Sequence, residues 1–267
     1  MKIGIVGCTG RMGQMLVKEV LASNGCELAG GTEGPGHAAL GQDVAATAGL
    51  AANGQTITDD TAALFAAADT VIDFTIAPVT KVHLDLAVEH GTALVLGTTG
   101  HDDAQMAEIE AAAEKAVIIK AMNFSVGVNV LFALTKQLAG TLDEDFDIEI
   151  VEMHHKHKVD APSGTAIGLG EAAAAGRGVN LADVAQRGRD GITGERKRGD
   201  IGITALRGGD VVGEHSVIFA ADAERVQLGH IATSRGIFSR GAVRAALWSE
   251  GKAPGLYDMQ DVLGFKS

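Results

Sequence analysis

Residues 2–13 read KIGIVGCTGRMG, and this stretch decides the fold of the first part of the chain. Residues 2–6 form a short apolar run, which is typical of a buried parallel strand. Glycines 7, 10 and 13 follow, ahead of a helical segment over 14–22. Such a turn lets the backbone approach a pyrophosphate, whose charge meets the free amides of the helix N-terminus. Cys8 stands where the first glycine of the dinucleotide fingerprint belongs, so an ordinary strand-to-helix turn is the alternative.

Glu33 favours the dinucleotide interpretation. It lies 20 residues after Gly13, at the end of a second predicted strand over 26–31. A carboxylate there accepts hydrogen bonds from the adenosine ribose hydroxyls, although Glu33 alone would suit a solvated loop equally well. Residues 34–36 read GPG and carry no cation to offset a 2′-phosphate. We therefore expect NADH to be preferred over NADPH, with Arg11 as the nearest cation that could help NADPH.

Alternating strands and helices continue to about residue 125. Buried runs at 71–75, 93–96 and 117–120 predict three further strands, and the pattern is that of a doubly wound parallel sheet. Ligands of such sheets bind beyond the carboxyl ends of the strands. The residues after the fourth and fifth strands are therefore candidate cofactor ligands: Gly97, Thr98 and Thr99, and Ala121, Met122, Asn123 and Phe124.

A different pattern follows residue 126. A strand over 147–153 and a helix over 164–175 are followed by three strands without intervening helices, over 201–206, 211–220 and 225–230. This order predicts an α+β unit with a mostly antiparallel sheet. A helix over 241–250 then returns to α/β character. We expect a Rossmann-type dinucleotide-binding domain of residues 1–125 and 235–267, and a second domain of residues 126–234.

Composition narrows the functional classes. Of 267 residues 46% are hydrophobic, which is enough for a sizeable core, and the formal net charge of −12 disfavours nucleic acid as a partner. Two cysteines cannot build a disulfide framework, and neither a signal peptide nor a membrane span is expected. We therefore expect a cytoplasmic protein.

Residues 154–165 read HHKHKVDAPSGT and form the second chemically suggestive stretch. Its histidines could bind a metal, but two neighbouring lysines disfavour a cation, and we expect no metal. The alternative without a function is a basic turn exposed to solvent. The functional interpretation is an acid/base site for an anion, because histidine titrates near neutrality and a helix begins at the Ser-Gly-Thr.

Six motifs together resemble the bacterial 4-hydroxy-tetrahydrodipicolinate reductase family, also called dihydrodipicolinate reductases. They are GCTGRMG at 7–13, DFT at 73–75, GTTG at 97–100, NFSVGVN at 123–129, the 154–165 stretch, and GGDVVGEH at 208–215. The resemblance implies an oxidoreductase of diaminopimelate and lysine biosynthesis that reduces a small dicarboxylate with NADH or NADPH. It also implies that residues 126–234 are a substrate-binding and oligomerisation domain that assembles a homotetramer.

The resemblance also implies site residues. His154 would be the catalytic acid/base group and Lys158 the proton donor, with His155, Ser163, Gly164 and Thr165 holding the substrate. The dinucleotide would be bound by Gly7, Cys8, Thr9, Gly10, Arg11, Met12 and Glu33, and by the residues after the fourth and fifth strands.

Two other functions are compatible with a glycine loop: another nicotinamide-dependent dehydrogenase of amino or oxo acids, and a dinucleotide-sensing regulator without turnover. Neither gives a reason for the 154–165 stretch. The basic segment 187–198 would be a solvated loop or would help substrate or subunit contacts.

Overall fold

A computed structural model describes residues 1–266. The chain forms two compact units, the first of Met1–Phe124 with the segment from Gly236 onward, and the second of Ser125–Arg235. The first unit is therefore built from two separate parts of the sequence. The assignment of dinucleotide binding to one unit and substrate binding to the other stays a prediction.

Helices and strands alternate in the first unit, whereas the second unit ends in four successive strands without a helix between them. The strands described within residues 1–266 are β1 (Lys2–Val6), β2 (Glu27–Thr32), β3 (Thr70–Asp73), β4 (Ala93–Leu96), β5 (Val117–Lys120), β6 (Asp147–His154), β7 (Ala185–Arg187), β8 (Ile201–Arg207), β9 (Gly213–Ala221), β10 (Glu224–Ala232) and β11 (Gly255–Tyr257). The helices are α1 (Arg11–Ala22), α2 (Val44–Thr47), α3 (Thr61–Ala67), α4 (Thr80–His90), α5 (Asp103–Ala113), α6 (Val126–Thr141), α7 (Gly164–Arg177), α8 (Leu181–Val184), α9 (Gly236–Trp248) and α10 (Met259–Val262), with a 3₁₀ turn at Ala77–Val79.

The first unit is a doubly wound parallel sheet, which confirms the predicted fold class. Its strand order is β2-β1-β3-β4-β5-β11, and every pairing is parallel. Strands β3 and β4 are buried at every residue, which explains the apolar sequence ALVL of β4 and the apolar pair Val71 and Ile72 in β3. Helices α3, α4 and α5 pack side by side against the sheet, and α1 packs with α9. Helix α5 begins with a capping box between Asp102 and Gln105.

Strand β11 was not expected as part of this sheet. It extends the sheet beside β5 and comes from the last part of the chain. Three half-exposed or exposed residues give too short a pattern for a strand to be recognised. Helix α9 also begins at Gly236, five residues before the expected start at 241.

The second unit contains a mixed sheet in the order β10-β9-β6-β8-β7. Strand β6 pairs antiparallel with β9 and parallel with β8, so it separates two strands that follow each other in the sequence. Antiparallel strand pairs in this sheet join more residues than parallel ones, in agreement with the predicted, mostly antiparallel sheet. Helices α6 and α7 cover one face, which we call the inner face, where Ile150, Leu169, Val217 and Phe219 form the core.

The opposite face of this sheet, which we call the outer face, is open within the described chain. Strand alternation places Val151, Ile218 and Ile231 on it, and Ile231 is 68% exposed. The basic segment 187–198 is tied to acidic residues at one end of this face. Arg189 and Arg196 both bind the carboxylate of Glu149.

None of the helices described within residues 1–266 combines the length and apolar character needed to cross a membrane.

Candidate active site

The glycine turn after β1 is shaped by two glycines that cannot be replaced without displacing backbone. Gly7 has a φ of +65°, and a Cβ at Gly13 would lie 2.1 Å from the carbonyl oxygen of Gly7. Helix α1 therefore starts in close contact with the turn. Gly10 is its N-cap and no side chain among residues 1–266 caps it, so the first amides of α1 remain available to a phosphate.

Glu33 is tied to the same turn. Its Oε1 accepts hydrogen bonds from the backbone N of Thr9 at 2.8 Å and from Thr9 Oγ1 at 2.7 Å. No described residue donates to Oε2. Glu33 lines a cleft of about 590 Å³ together with Gly7, Thr9 and Gly10. One carboxylate oxygen thus fixes the loop, and the other can accept from a ribose hydroxyl.

A buried carboxylate supports the wall of this cleft. Asp73, at the end of β3, accepts from Thr75 N, Thr75 Oγ1, Thr98 Oγ1 and His83 Nδ1, the last at 2.7 Å. Burial alone would raise the pKa of Asp73, but the His83 and Thr75 hydrogen bonds outweigh burial and hold it below its usual value. His83 lines the cleft, and nothing in the sequence pattern marks it beyond its position on a predicted helix.

The other predicted cofactor residues have varied positions. Gly97 lies under the Phe74 ring, where a Cβ would be 2.3 Å from Cζ, and Phe74 packs in turn on Phe124. Thr99 and Met122 are exposed beyond the strand ends, whereas Thr98 is buried. The roles of these residues, and of Arg11, Met12, Ala121 and Asn123, stay predictions.

Cys8 lies beneath the turn rather than in the cleft. Its side chain packs close to Gly31, and burial raises the pKa of its thiol to about 12, with Glu33 adding to the effect. Its backbone N donates to Thr32 O, as does that of Gly7. A contact of Cys8 with the cofactor stays a prediction.

These features fit a dinucleotide. The uncapped start of α1 suits a pyrophosphate, Gly13 permits the close backbone approach, and Glu33 suits a ribose. The residues of the first unit can therefore hold the nicotinamide cofactor that the sequence predicts.

His154 ends strand β6 on the inner face of the second unit. Its Nδ1 lies 2.6 Å from Oε2 of Glu152, a carboxylate with no exposed surface. Arg207 binds both Glu152 oxygens, at 2.8 and 2.9 Å, and Ser163 N donates to Oε1 at 2.9 Å. Among residues 1–266, no group bonds to His154 Nε2, which lies next to Gly213. Nε2 is therefore the ring atom that can exchange a proton with a ligand.

Lys158 lies in the loop after His154. Its Nζ binds Asp160 Oδ1 at 2.8 Å, and its backbone N donates to His155 O. The hydrogen bond from Lys158 is the main reason why the pKa of Asp160 is below its usual value. Burial and then Arg235 lower the pKa of His155. Lys158 and Arg235 thus place positive charge near His155, and Asp160 offsets part of the Lys158 charge.

Ser163 is the N-cap of α7, and its Oγ accepts from Ala166 N. Gly164 and Thr165 form the first turn. The start of a helix attracts anions, which suits the predicted role of all three residues in holding a carboxylate.

His215 is a further buried group of this site. Its Nε2 lies 3.2 Å from Ser163 Oγ, and its ring meets that of His154 edge-on at 5.2 Å. Burial, with the nearby His154 as the next cause, lowers the pKa of His215 to about 4. The ring is therefore neutral at physiological pH.

Sequence reasoning missed the roles of Glu152, Arg207 and His215. Glu152 could have been found, because alternation along a strand places it on the same face as His154. Arg207 could not, because it lies 55 residues from Glu152 and only the β6–β8 pairing brings them together. Within residues 1–266 no group of three or more His, Cys, Asp or Glu is arranged to hold a metal ion.

Comparison with known proteins agrees with this geometry. Residues 1–124 match the family model described as dihydrodipicolinate reductase, N-terminus, and residues 127–263 match the C-terminus model. The 4-hydroxy-tetrahydrodipicolinate reductase of Dinoroseobacter shibae is 57% identical over 262 residues, covering 98% of this chain and 97% of the relative. That of Parvibaculum lavamentivorans is 54% identical over 266 residues, covering 99% and 98%.

A solved structure shares the fold. A dipicolinate-bound dihydrodipicolinate reductase from Paenisporosarcina sp. TG-14 superposes with a TM-score of 0.76 at 23% identity, covering 98% of each chain. The predicted family, and with it an oxidoreductase that uses a nicotinamide cofactor, is confirmed. The chain belongs to the dihydrodipicolinate reductase family.

Proposed function

We propose that the chain reduces 4-hydroxy-tetrahydrodipicolinate, or its dehydrated form dihydrodipicolinate, to tetrahydrodipicolinate in diaminopimelate and lysine biosynthesis. One observation carries the proposal. His154 presents Nε2 as an open proton-exchange atom while Glu152 holds its other nitrogen, and Lys158 and the start of α7 lie in the same loop region. This is an acid/base centre surrounded by groups that attract carboxylates.

The division of roles follows from these positions. A nicotinamide held by the residues of the first unit would supply the hydride for the conjugated imine of the ring. Lys158 donates a proton to the neighbouring atom, and His154 acts as the acid/base group that stabilises the developing charge. His155, Ser163, Gly164 and Thr165 hold the substrate carboxylates.

For the cofactor we propose NADH as the preferred form, with NADPH used less well. Glu33 lines the cleft and accepts from Thr9, so its carboxylate is fixed beside the ribose position. A 2′-phosphate there would meet negative charge, and residues 34–36 provide no cation.

For assembly we propose a homotetramer formed through the outer face of the second unit. Val151, Leu206, Ile218 and Ile231 make this face partly apolar, and Leu206 and Ile231 are 47% and 68% exposed. Apolar faces of this kind mark association surfaces. Ile231→Glu should give smaller species in sedimentation while NADH affinity stays unchanged; an unaltered assembly would contradict this choice of surface.

We assign the enzyme to the cytoplasm. Cys8 and Cys26 are both free thiols, which suits a reducing compartment.

The activity is tested by following NADH absorbance while a synthase supplies the unstable substrate from pyruvate and aspartate semialdehyde. Oxidation that depends on the synthase and is lost in His154→Gln is expected. NADH binding without turnover would favour the regulator, and turnover of a different oxo acid would favour another dehydrogenase.

A further inference from the structure

Glu152 is a buried carboxylate surrounded only by donors. Its Oε2 faces His154 Nδ1 and Arg207 Nη1, and its Oε1 faces Arg207 Nη2 and Ser163 N. We propose that Glu152, held by Arg207, is the positioning residue that fixes the His154 tautomer with the proton on Nδ1, so that Nε2 faces the substrate unprotonated or as the transferable N–H. Glu152 itself touches no substrate in this scheme.

The donor set makes the tautomer obligatory. A guanidinium and a backbone amide can only donate, and an ionised carboxylate can only accept. His154 Nδ1 must therefore carry its hydrogen when it lies 2.6 Å from Glu152 Oε2. Charge-assisted bonds of this length are among the stronger hydrogen bonds in proteins.

The same pair also ties the separate segments of the site together. Glu152 bonds to His154 on β6 and to Ser163 at the start of α7. Arg207, on β8, donates in addition to Asp160 O in the loop that carries Lys158. The acid/base residue, the proton-donor loop and the carboxylate-binding helix thus share one ion pair, in addition to the sheet pairing of β6 with β8.

Other groups near His154 do not fix its tautomer. His215 meets the ring edge-on and places its Nε2 against Ser163 Oγ. Lys158 binds Asp160 instead. Glu152 alone has an atom within hydrogen-bond distance of the His154 ring among residues 1–266.

The variant Glu152→Gln tests this arrangement. Each carboxylate oxygen of Glu152 faces two donors, so the NH₂ group of the glutamine faces donors at either oxygen position. Of these donors only an imidazole nitrogen can become an acceptor. We therefore expect the NH₂ group to face His154 and to move the ring proton to Nε2.

The tautomer is measured directly by ¹⁵N chemical shifts of the histidine rings in the free protein, with the His154 signals assigned from their loss in His154→Gln. The wild type should carry the neutral-ring proton on Nδ1, and Glu152→Gln should carry it on Nε2. Glu152→Asp keeps a carboxylate and should keep the Nδ1 proton.

Glu149→Gln is the matched control, because Glu149 lies on the same strand and also binds arginine, but on the outer face. It should leave the His154 signals unchanged. In the reductase assay, kcat should fall about 10²–10⁴-fold in Glu152→Gln, recover in part in Glu152→Asp and stay near wild type in Glu149→Gln, with NADH affinity constant throughout.

The catalytic part of this inference rests on the proposed function, whereas the tautomer does not. An Nε2 proton in the wild type, or an Nδ1 proton retained in folded Glu152→Gln, overturns the positioning role even if the enzyme reduces its substrate. A tautomer switch in a protein without reductase activity supports the positioning role and rejects the proposed function.

Discussion

Glu149 and Glu152 lie three residues apart on strand β6, so strand alternation directs their carboxylates to arginines on opposite faces of the same sheet. The two pairs differ in burial. Glu152 is fully buried, whereas the Glu149 side chain is 25% exposed and is shared by Arg189 and Arg196. The Glu152–Arg207 pair should therefore affect the free energy of unfolding much more than the Glu149–Arg189 pair.

Arg207→Ala should lower the free energy of unfolding by about 3–5 kcal/mol, because it leaves the Glu152 charge buried without its main partner. Arg189→Ala, the matched change on the outer face, should cost less than about 1 kcal/mol, because water and Arg196 still stabilise Glu149. Urea denaturation measures both. Equal losses in the two variants would show that burial does not decide the difference.

His215 should make stability depend on pH. The ring takes up a proton near pH 6.5 in the unfolded chain but at a pKa of about 4 in the folded protein. Between these values the unfolded state binds more protons, so stability falls as the pH falls. We expect this group to cost about 1.5 kcal/mol of stability between pH 6.5 and 5, and only about 0.4 kcal/mol above pH 6.5.

Urea titrations at several pH values test this, with His215→Gln expected to remove the share of the stability loss that His215 causes. His157→Gln should not, because His157 is exposed. The lowered pKa of Glu152 acts at lower pH, since its usual value is 4.5, so the two effects are separable. A wild-type curve that is flat from pH 7 to 5 would contradict the buried neutral state of His215.

Gly34→Arg should shift cofactor preference toward NADPH. A Cβ at Gly34 meets no atom within 4 Å, and its φ is not in the left-handed region, so the larger residue can be accommodated. The new cation would lie next to Glu33 and offset a 2′-phosphate. The ratio of kcat/KM for the two cofactors measures the effect, and Gly34→Gln controls for size. A wild type that uses NADPH as well as NADH would contradict the preference.

Gly13→Ala should weaken both folding and cofactor binding. The new methyl would lie 2.1 Å from Gly7 O, whereas the methyl in Gly10→Ala would lie 3.3 Å from the same atom. We expect a loss of about 2 kcal/mol in the first variant and less than about 1 kcal/mol in the second. Thermal unfolding and NADH titration should rank the variants in this order, and the reverse order would exclude the close packing of α1 on the turn as the cause.

Lys158→Ala should lower kcat by about 10²–10⁴-fold, as the loss of a general acid does, with NADH affinity unchanged. Lys156→Ala is the control, because this exposed lysine lies two residues away in the same loop. Stopped-flow measurements of turnover compare kcat in the two variants. Near-normal turnover in Lys158→Ala would remove Lys158 from the mechanism.

Features encoded locally could be predicted from the sequence. The parallel strands of the first unit are buried on both faces, so they are visible as apolar runs, and the turn after β1 requires glycines. The 154–165 stretch also keeps its chemistry together, because it is contiguous in the chain. Helix starts such as Asp102 follow from capping chemistry.

Features that depend on pairing between distant segments could not be predicted. The alternation along β8 predicts which of its residues share a face. It does not predict that β6 lies between β8 and β9. The Glu152–Arg207 ion pair depends on that order, and the arginines of segment 187–198 depend on the acidic partners that the fold brings near them. Sequence composition carries no information on either.

The two-part construction of the first unit bears on how the chain is made in the cell. Helix α9 packs against α1, β3 and β4, and Gly241 is close enough that a Cβ would lie 1.6 Å from Phe124 O. On the ribosome, residues 1–124 emerge long before residues 236–248. The area of the sheet that α9 covers, on β3 and β4, therefore stays exposed on the nascent chain while the whole second unit is translated. The part of the protein that is synthesised first is thus the part whose folding is completed last.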